Sequence, residues 1–295
     1  MDRIMLIFCL ALAMTACQTP SPLEQLERDV NQLFASQEGS FAMAFKMLEG
    51  SDSLLINPHE KFHAASTMKT PVMIEMYKQA ATGKFALTDS LEVVNEFSSI
   101  VDGSPFQLTL TDDSEPKLYS KIGQKLPWSE LAYDMIIASS NLATNILIDQ
   151  LDAKVVTQTM RELGAPDIDV LRGVEDIKAF EQGLSNRTTA FDLLRIFEHL
   201  AQGTAVSPEA SREMIDILLD QQFNDVIPAY LPEQVKVAHK TGWITGVHHD
   251  SGLVMLPDGR RYVLILLSKE MTDMEAGTEM LARVSEKVYG YVMGE

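Results

Sequence analysis

The sequence predicts an α/β (α+β) protein: an antiparallel sheet formed by both chain ends, flanked by helices, with an all-α domain inserted between them. Three observations lead there. Short strand-like runs bounded by turn residues stand at 41–56 and again at 235–267. Helical apolar spacing dominates the stretch between them. Amphipathic helical periods stand outside both strand blocks, at 23–34 and 274–293, so sheet and covering helices come from the two ends. The implied division is an α/β domain of residues 23–65 plus 225–295, and an all-α domain of 66–224 containing an Ω-like loop at 165–187. Residues 1–16 read as a signal peptide and 17–22 as a tether.

Each element has a local reason. Leu23, Leu26, Val30, Leu33 and Phe34 share one helical face, and Gly39 ends that period. Strands at 41–48 and 53–56 turn at Glu49-Gly50-Ser51-Asp52. A helix is expected to begin near Ser66, run to about Ala81 and close at Gly83; Pro71 is tolerable because it lies within about one turn of the start. Residues 84–125 have no sustained period: 91–97 could be a strand, and Asp102-Gly103-Ser104-Pro105 and Asp112-Asp113 read as turns. One helix is expected over 128–151, with Ser139-Ser140-Asn141 inside it, and another over 155–163, stopped by Gly164 and Pro166. The stretch 165–187 lacks a period and is long enough for an Ω-like loop, a loop type that is usually functional. Thr188 or Thr189 caps a helix to Ala201, and Ser207-Pro208 starts the next with serine as N-cap and proline at the first position. A strand at 235–240 leads into Thr241-Gly242. Strands at 250–256 and 261–267 form a hairpin around Pro257-Asp258-Gly259.

Composition narrows the function. The 295 residues are 46% apolar and 22% charged, ordinary for a globular protein with a substantial core. A net charge of −18 without basic clusters argues against nucleic acid and describes a self-repelling surface; a monomer is expected. Arg3 and the apolar run 4–14 read as an export signal, too short to span a bilayer. It ends in Met14-Thr15-Ala16-Cys17, small residues before a cysteine as in a bacterial lipobox. The reading is a periplasmic lipoprotein tethered through Cys17, with an ordinary cleaved signal as the alternative. Cys9 leaves with the signal, so no disulfide is expected.

The chemistry centres on Ser66-Thr67-Met68-Lys69. In a helix beginning there, serine and lysine share a face one turn apart. A neutral lysine can activate a serine hydroxyl, and the free N–H groups of a helix start can stabilise an oxyanion. Alone, the tetrad is a weak signal and reads more readily as an N-cap serine with a solvated lysine. Downstream, Ser139 could relay a proton to a leaving amine and Asn141 could bind an acyl-amide group. Lys240 could hold an anionic substrate group, with Thr241 beside it, and Gly242 would let a substrate backbone approach the strand edge. Lys240 near Lys69 would lower the pKa of each. No Gly-x-Ser-x-Gly elbow, His-Glu-x-x-His pair or Gly-rich phosphate loop is present. The adjacent His248-His249 reads as strand-edge polarity rather than a metal site. Neither cofactor nor metal is expected.

Ser-x-x-Lys, Ser-x-Asn and Lys-Thr-Gly, in that order, resemble the penicillin-recognising serine hydrolases, and class A β-lactamases most. The resemblance spans roughly residues 35–290 and implies a β-lactamase/transpeptidase-like fold and a β-lactam or related acyl substrate. It implies catalytic roles for Ser66, Lys69, Ser139 and Glu175, the last activating the deacylating water. Substrate would be bound by Asn141, Lys240, Thr241, Gly242 and Trp243, with the backbone N–H groups of Ser66 and Trp243 as the oxyanion hole. Asn145 would brace the loop. Asp176 could pair with Arg172, though its plain reading is surface charge. The chain departs from the family at Ser140, where an aspartate is usual, and after Glu175, where Ala179 replaces the asparagine that helps hold the water. A related peptidase or esterase, or a slowly deacylating penicillin-binding protein, are the alternatives.

Overall fold

The computed structural model describes residues 20–294; the expected signal segment, Cys17 and the start of the tether lie outside them. In chain order the main elements are α1 (Pro22–Phe34), β1 (Ser40–Met47), β2 (Ser53–Ile56), α2 (Lys69–Ala81), α3 (Trp128–Ile137), α4 (Asn141–Leu151), α5 (Ala153–Glu162), α6 (Ile177–Glu181), α7 (Ala190–Gln202), α8 (Pro208–Leu219), β3 (Lys236–Ile244), β4 (Val247–Met255), β5 (Arg261–Lys269) and α9 (Met274–Met293). The five strands form one antiparallel sheet in the order β2-β1-β5-β4-β3, so both chain ends build it.

Period-two alternation divides the core. On β5, Tyr262, Leu264 and Leu266 face a cluster with Leu26 and Val30 of α1 and Leu281, Val284 and Val288 of α9. Val263, Ile265 and Leu267 face the other way, into a cluster with Val72, Met76, Leu193 and Phe197 of α2 and α7. Burying one such aliphatic side chain contributes about 1.5–3 kcal/mol, so the central strands are held from both faces. Caps set the helix starts: Ser21 and Glu24 form a capping box on α1, Thr189 caps α7, and Ser207 caps α8 with Pro208 at its first position.

The structure corrects several local expectations. The segment at 66 opens as a 3-10 turn, Ala65–Met68, and the α-helix proper starts at Lys69, because the Lys69 N–H bonds to the Ser66 carbonyl. The single helix expected over 128–151 is two, broken at Ser139, whose φ is +58°. Short polar side chains prefer caps to helix interiors, and Ser140 caps α4 by accepting from the Ala143 N–H. The strand expected at 91–97 is two short pieces, Ser90–Glu92 paired with Lys125–Pro127 and Phe97–Ser98 paired with Pro105–Phe106. A turn at Gly246, φ +77°, joins β3 to β4 and extends both beyond the expected strands.

Candidate active site

Ser66 stands on the 3-10 turn at the floor of a cleft of about 840 Å³. It is half-buried, whereas Ala65, Thr67, Met68 and Lys69 around it are buried. The turn is pinned from both sides. The Ala64 N–H donates to the Asn186 carbonyl at 2.8 Å, and the Thr67 hydroxyl donates to the Ala64 carbonyl at 2.6 Å. Ala65 has φ +45°, a strained conformation for a residue with a side chain, of the kind that persists where the surroundings enforce it. Those surroundings include β3, the edge strand: a Cβ added to Gly242 would lie 3.1 Å from the Ser66 nitrogen and 3.1 Å from the Ala65 Cβ. The missing side chain of Gly242 is therefore what lets the strand edge close on Ser66.

Three elements converge beside it. Lys69, fully buried at the start of α2, donates to the Ser139 carbonyl at 2.6 Å, the Ser139 Oγ at 3.1 Å and the Asn141 Oδ1 at 2.9 Å. Lys240, fully buried on β3, donates to the same Ser139 Oγ at 3.1 Å and to the Thr241 carbonyl at 2.9 Å. One hydroxyl thus sits between two amines. Burial lowers Lys69 to about 7, against the pull of Asp113 and Glu175. Burial also pushes Lys240 well below the ordinary lysine range, and the Lys69 charge adds to this while Asp250 opposes it. Mutual repulsion was expected to lower both lysines; burial comes first for each, and the repulsion enters for Lys240. Among the described residues, no hydrogen bond joins Lys69 to the Ser66 hydroxyl in this resting arrangement, since its donors are taken by Ser139 and Asn141.

Glu175 lines the same cleft, half-buried on the 165–187 loop. Burial, and Asp112 next, raise its carboxyl, while Arg172 and Lys69 pull it down. The loop is braced as expected at Asn145: its Oδ1 accepts from the Val174 N–H at 2.7 Å and its amide donates to the Val174 carbonyl at 3.0 Å. Gly173 makes this possible, because a Cβ there would come within 2.2 Å of the Asn145 Oδ1.

The model of the beta-lactamase enzyme family matches residues 25–292. The chain belongs to this family. Its relatives include the extended-spectrum beta-lactamase PER-1 of Pseudomonas aeruginosa, 22% identical over 288 residues, covering 94% of this chain and 89% of that protein. Among solved structures, a beta-lactamase from Sphaerobacter thermophilus is 25% identical with a TM-score of 0.76, covering 90% of this chain and 97% of its own. PBP-A, solved as the acyl-enzyme complex of a mutant with penicillin G, is 29% identical with a TM-score of 0.79, covering 92% of this chain and 98% of its own.

Within this beta-lactamase fold the structure revises the surroundings of the motifs. Asp176 is not surface charge: it is 3% exposed, and no ion pair joins it to Arg172 among the described residues. Its carboxylate accepts from the Ser99 hydroxyl and the Ile100 N–H, both at 2.9 Å, and from the Ala179 N–H at 3.1 Å. It therefore caps α6 and ties the loop to the 97–106 hairpin. Arg172 instead donates to the Leu184 and Gly173 carbonyls, each at 2.9 Å. Ala179 is buried and offers no polar group toward the cleft. His248 and His249 are not at a strand edge; β3 occupies the edge and they lie buried on β4. The His249 Nε2 contacts the His63 carbonyl at 2.8 Å, and burial lowers its pKa to about 4. Among the described residues no group of three or more His, Cys, Asp or Glu side chains is arranged for a metal.

Trp243 is 60% exposed on the cleft rim. The turn expected at 112–113 had no part in the site as read from sequence, yet it bonds directly to the second motif; Asn186 was missed, and it clasps the neck of the loop by accepting from the Leu171 N–H at 2.8 Å and donating to the Arg172 carbonyl at 2.9 Å. The only sequence signal for the turn was its pair of acids.

Proposed function

We propose that this chain is an exported serine β-lactamase that hydrolyses the β-lactam amide through an acyl-enzyme on Ser66. The observation that carries the reading is the Ser139 hydroxyl, 3.1 Å from the amines of both Lys69 and Lys240, next to a serine left accessible on a strained turn. The Ser66 hydroxyl loses its proton to Lys69, or to a water held by Glu175, as its oxygen bonds to the lactam carbonyl carbon. The backbone N–H groups of Ser66 and Trp243 receive the oxyanion. The C–N bond breaks and the nitrogen takes a proton through Ser139. A water then gives its proton to Glu175 and attacks the ester carbon, and Ser66 recovers its proton as product leaves. Lys240 and Thr241 hold the substrate's anionic group, a substrate carboxylate favouring the charged form of Lys240 that burial disfavours. The second amide hydrogen of Asn141 serves the acyl-amide group, the first being held by the Asp112 carbonyl at 3.0 Å.

The test is mass spectrometry of the protein with a penicillin, followed over time and pH. A transient mass gain on Ser66 is expected. With Lys69 as the base, acylation falls tenfold per pH unit below about 7, where its amine protonates. A limb lying lower, in the range of a raised carboxyl, would assign the base to Glu175 and its water. No adduct at all would sink the reading. A stable adduct would favour a slowly deacylating penicillin-binding protein, a reading that Ala179 and the likeness to PBP-A support.

The cellular setting is also a proposal: Cys17 is acylated and tethers the domain in the periplasm as a monomer, more than one acyl chain making the attachment stable. Cys17→Ser is expected to move the protein from the membrane pellet to the soluble fraction. A wild-type mature protein without lipid mass on Cys17 would remove the anchor.

A further inference from the structure

The turn Ser139-Ser140-Asn141 presents three acceptors to Lys69, yet it lies between two helices with a left-handed residue at its start. Locally it is held by the Ser140 N–H donating to the Asp134 carbonyl at 3.1 Å and by the Ser140 cap on the Ala143 N–H, but these leave the first N–H groups of α4, on Asn141 and Leu142, without a partner from the turn itself. A carboxylate from a distant segment takes them. The Asp113 Oδ1 accepts from the Asn141 N–H at 3.1 Å, and its Oδ2 accepts from the Leu142 N–H at 2.7 Å and the Ser140 hydroxyl at 3.4 Å. The same carboxylate is fixed on its other side by the Glu115 N–H at 3.0 Å and the Tyr119 hydroxyl at 3.2 Å. It also lies on the positive end of α4, where an anion is favoured. The neighbouring Asp112 carbonyl accepts from the Asn141 amide, which aims the Asn141 Oδ1 at Lys69.

We propose that Asp113 is a positioning residue for the reaction: by clamping the N-terminus of α4 from outside, it sets the Ser139 hydroxyl and the Asn141 side chain against Lys69. This rests on the reading of Ser66 as the acylated nucleophile. Asp113 acts through Ser139 and Asn141 and has no covalent part in the reaction. It has a second, electrostatic effect. The charged groups around Lys69 are Asp113 from the 112–113 turn, Glu175 from the loop and Lys240 from β3, and α4 contributes only the neutral Asn141. Of the two carboxylates, Asp113 does more to hold the Lys69 proton. Its removal therefore lets Lys69 lose that proton at lower pH.

The experiment follows the rate of Ser66 acylation by benzylpenicillin from pH 5 to 9 in the wild type, in Asp113→Asn, and in D113N/S140D. The double variant moves the carboxylate onto the cap residue of α4, within reach of the same N–H groups. Asp113→Asn is expected to acylate about 10- to 100-fold more slowly on the plateau, since loss of alignment has that scale. Its acid limb is expected to move to lower pH. D113N/S140D is expected to recover most of the rate. A wild type that never acylates would overturn the nucleophile reading itself. A wild type that acylates, with Asp113→Asn matching it in rate and pH limb, would overturn the role of Asp113 alone. A slow Asp113→Asn whose limb does not move and which the second substitution does not rescue would reduce Asp113 to a plain helix cap. Should Asp113→Asn not fold, the double variant decides: folded and acylating within tenfold of wild type supports the proposal, folded and inactive overturns it.

Discussion

Ser66→Ala is expected to eliminate the covalent penicillin adduct and to lower hydrolysis by on the order of 10⁴-fold or more, the scale of losing a nucleophile. Ser139, the hydroxyl held by both lysines, is not expected to take over. Ser139 is only 8% exposed and its oxygen is occupied by Lys69 and Lys240, whereas Ser66 faces the cleft. Folding is expected to be spared, within about 0.5 kcal/mol, because the half-buried Ser66 hydroxyl makes no hydrogen bond among the described residues. Intact-mass spectrometry and thermal melting of the two proteins separate these effects. An adduct on Ser139, or hydrolysis surviving in a folded Ser66→Ala, would overturn the assignment.

Glu175→Gln is expected to leave acylation within a few-fold of wild type and to slow deacylation about 10²–10⁴-fold, so that the acyl-enzyme accumulates. The split follows from the placement of the two bases. Lys69, near neutrality through burial, lies with the acylation groups, while Glu175 reaches the cleft from the loop with its carboxyl raised. A raised pKa makes Glu175 a better base once ionised, and deacylation should fall as pH drops through a value above the ordinary carboxylate range. The substitution keeps the side-chain shape, and the backbone there, φ +62°, is held by the Asn145 brace on Val174 rather than by the carboxylate. Even in the wild type, turnover is expected to be limited by deacylation, because Ala179 offers the water no hydrogen bond. Time-resolved mass spectrometry reads both steps. Equal deacylation rates would make Glu175 a loop residue only and shift attention to an esterase-like or peptidase-like reaction.

The parts of the site that could be read in the chain are those whose chemistry sits in consecutive residues. The Ser-x-x-Lys and Lys-Thr-Gly runs, the Gly-rich turns and the caps at Ser207 and Thr189 act over at most one helical turn, so identity and spacing declare them. Asn145 was legible only through family resemblance, and its two hydrogen bonds to the Val174 backbone have that predicted form. The unreadable stretch, 84–125, contains only short strands and 3-10 turns, none long enough to impose a period. Yet it supplies Asp113 to α4, and Ser99 and Ile100 to Asp176.

The sequence by itself determined the order of the motifs, the sheet drawn from both chain ends and the helices between, because apolar periodicity and turn chemistry are local properties. Only the tertiary structure decided the electrostatics and fine geometry. A helical pattern over 128–151 says nothing of a break at Ser139, nor of the Asp113 carboxylate that meets the helix start just beyond it. The string of letters shows Lys69, Lys240 and Asp176 as charges. Whether a charge is solvated, neutralised or capped depends on what distant segments exclude water from it, and here α2, β3 and the loop do so together.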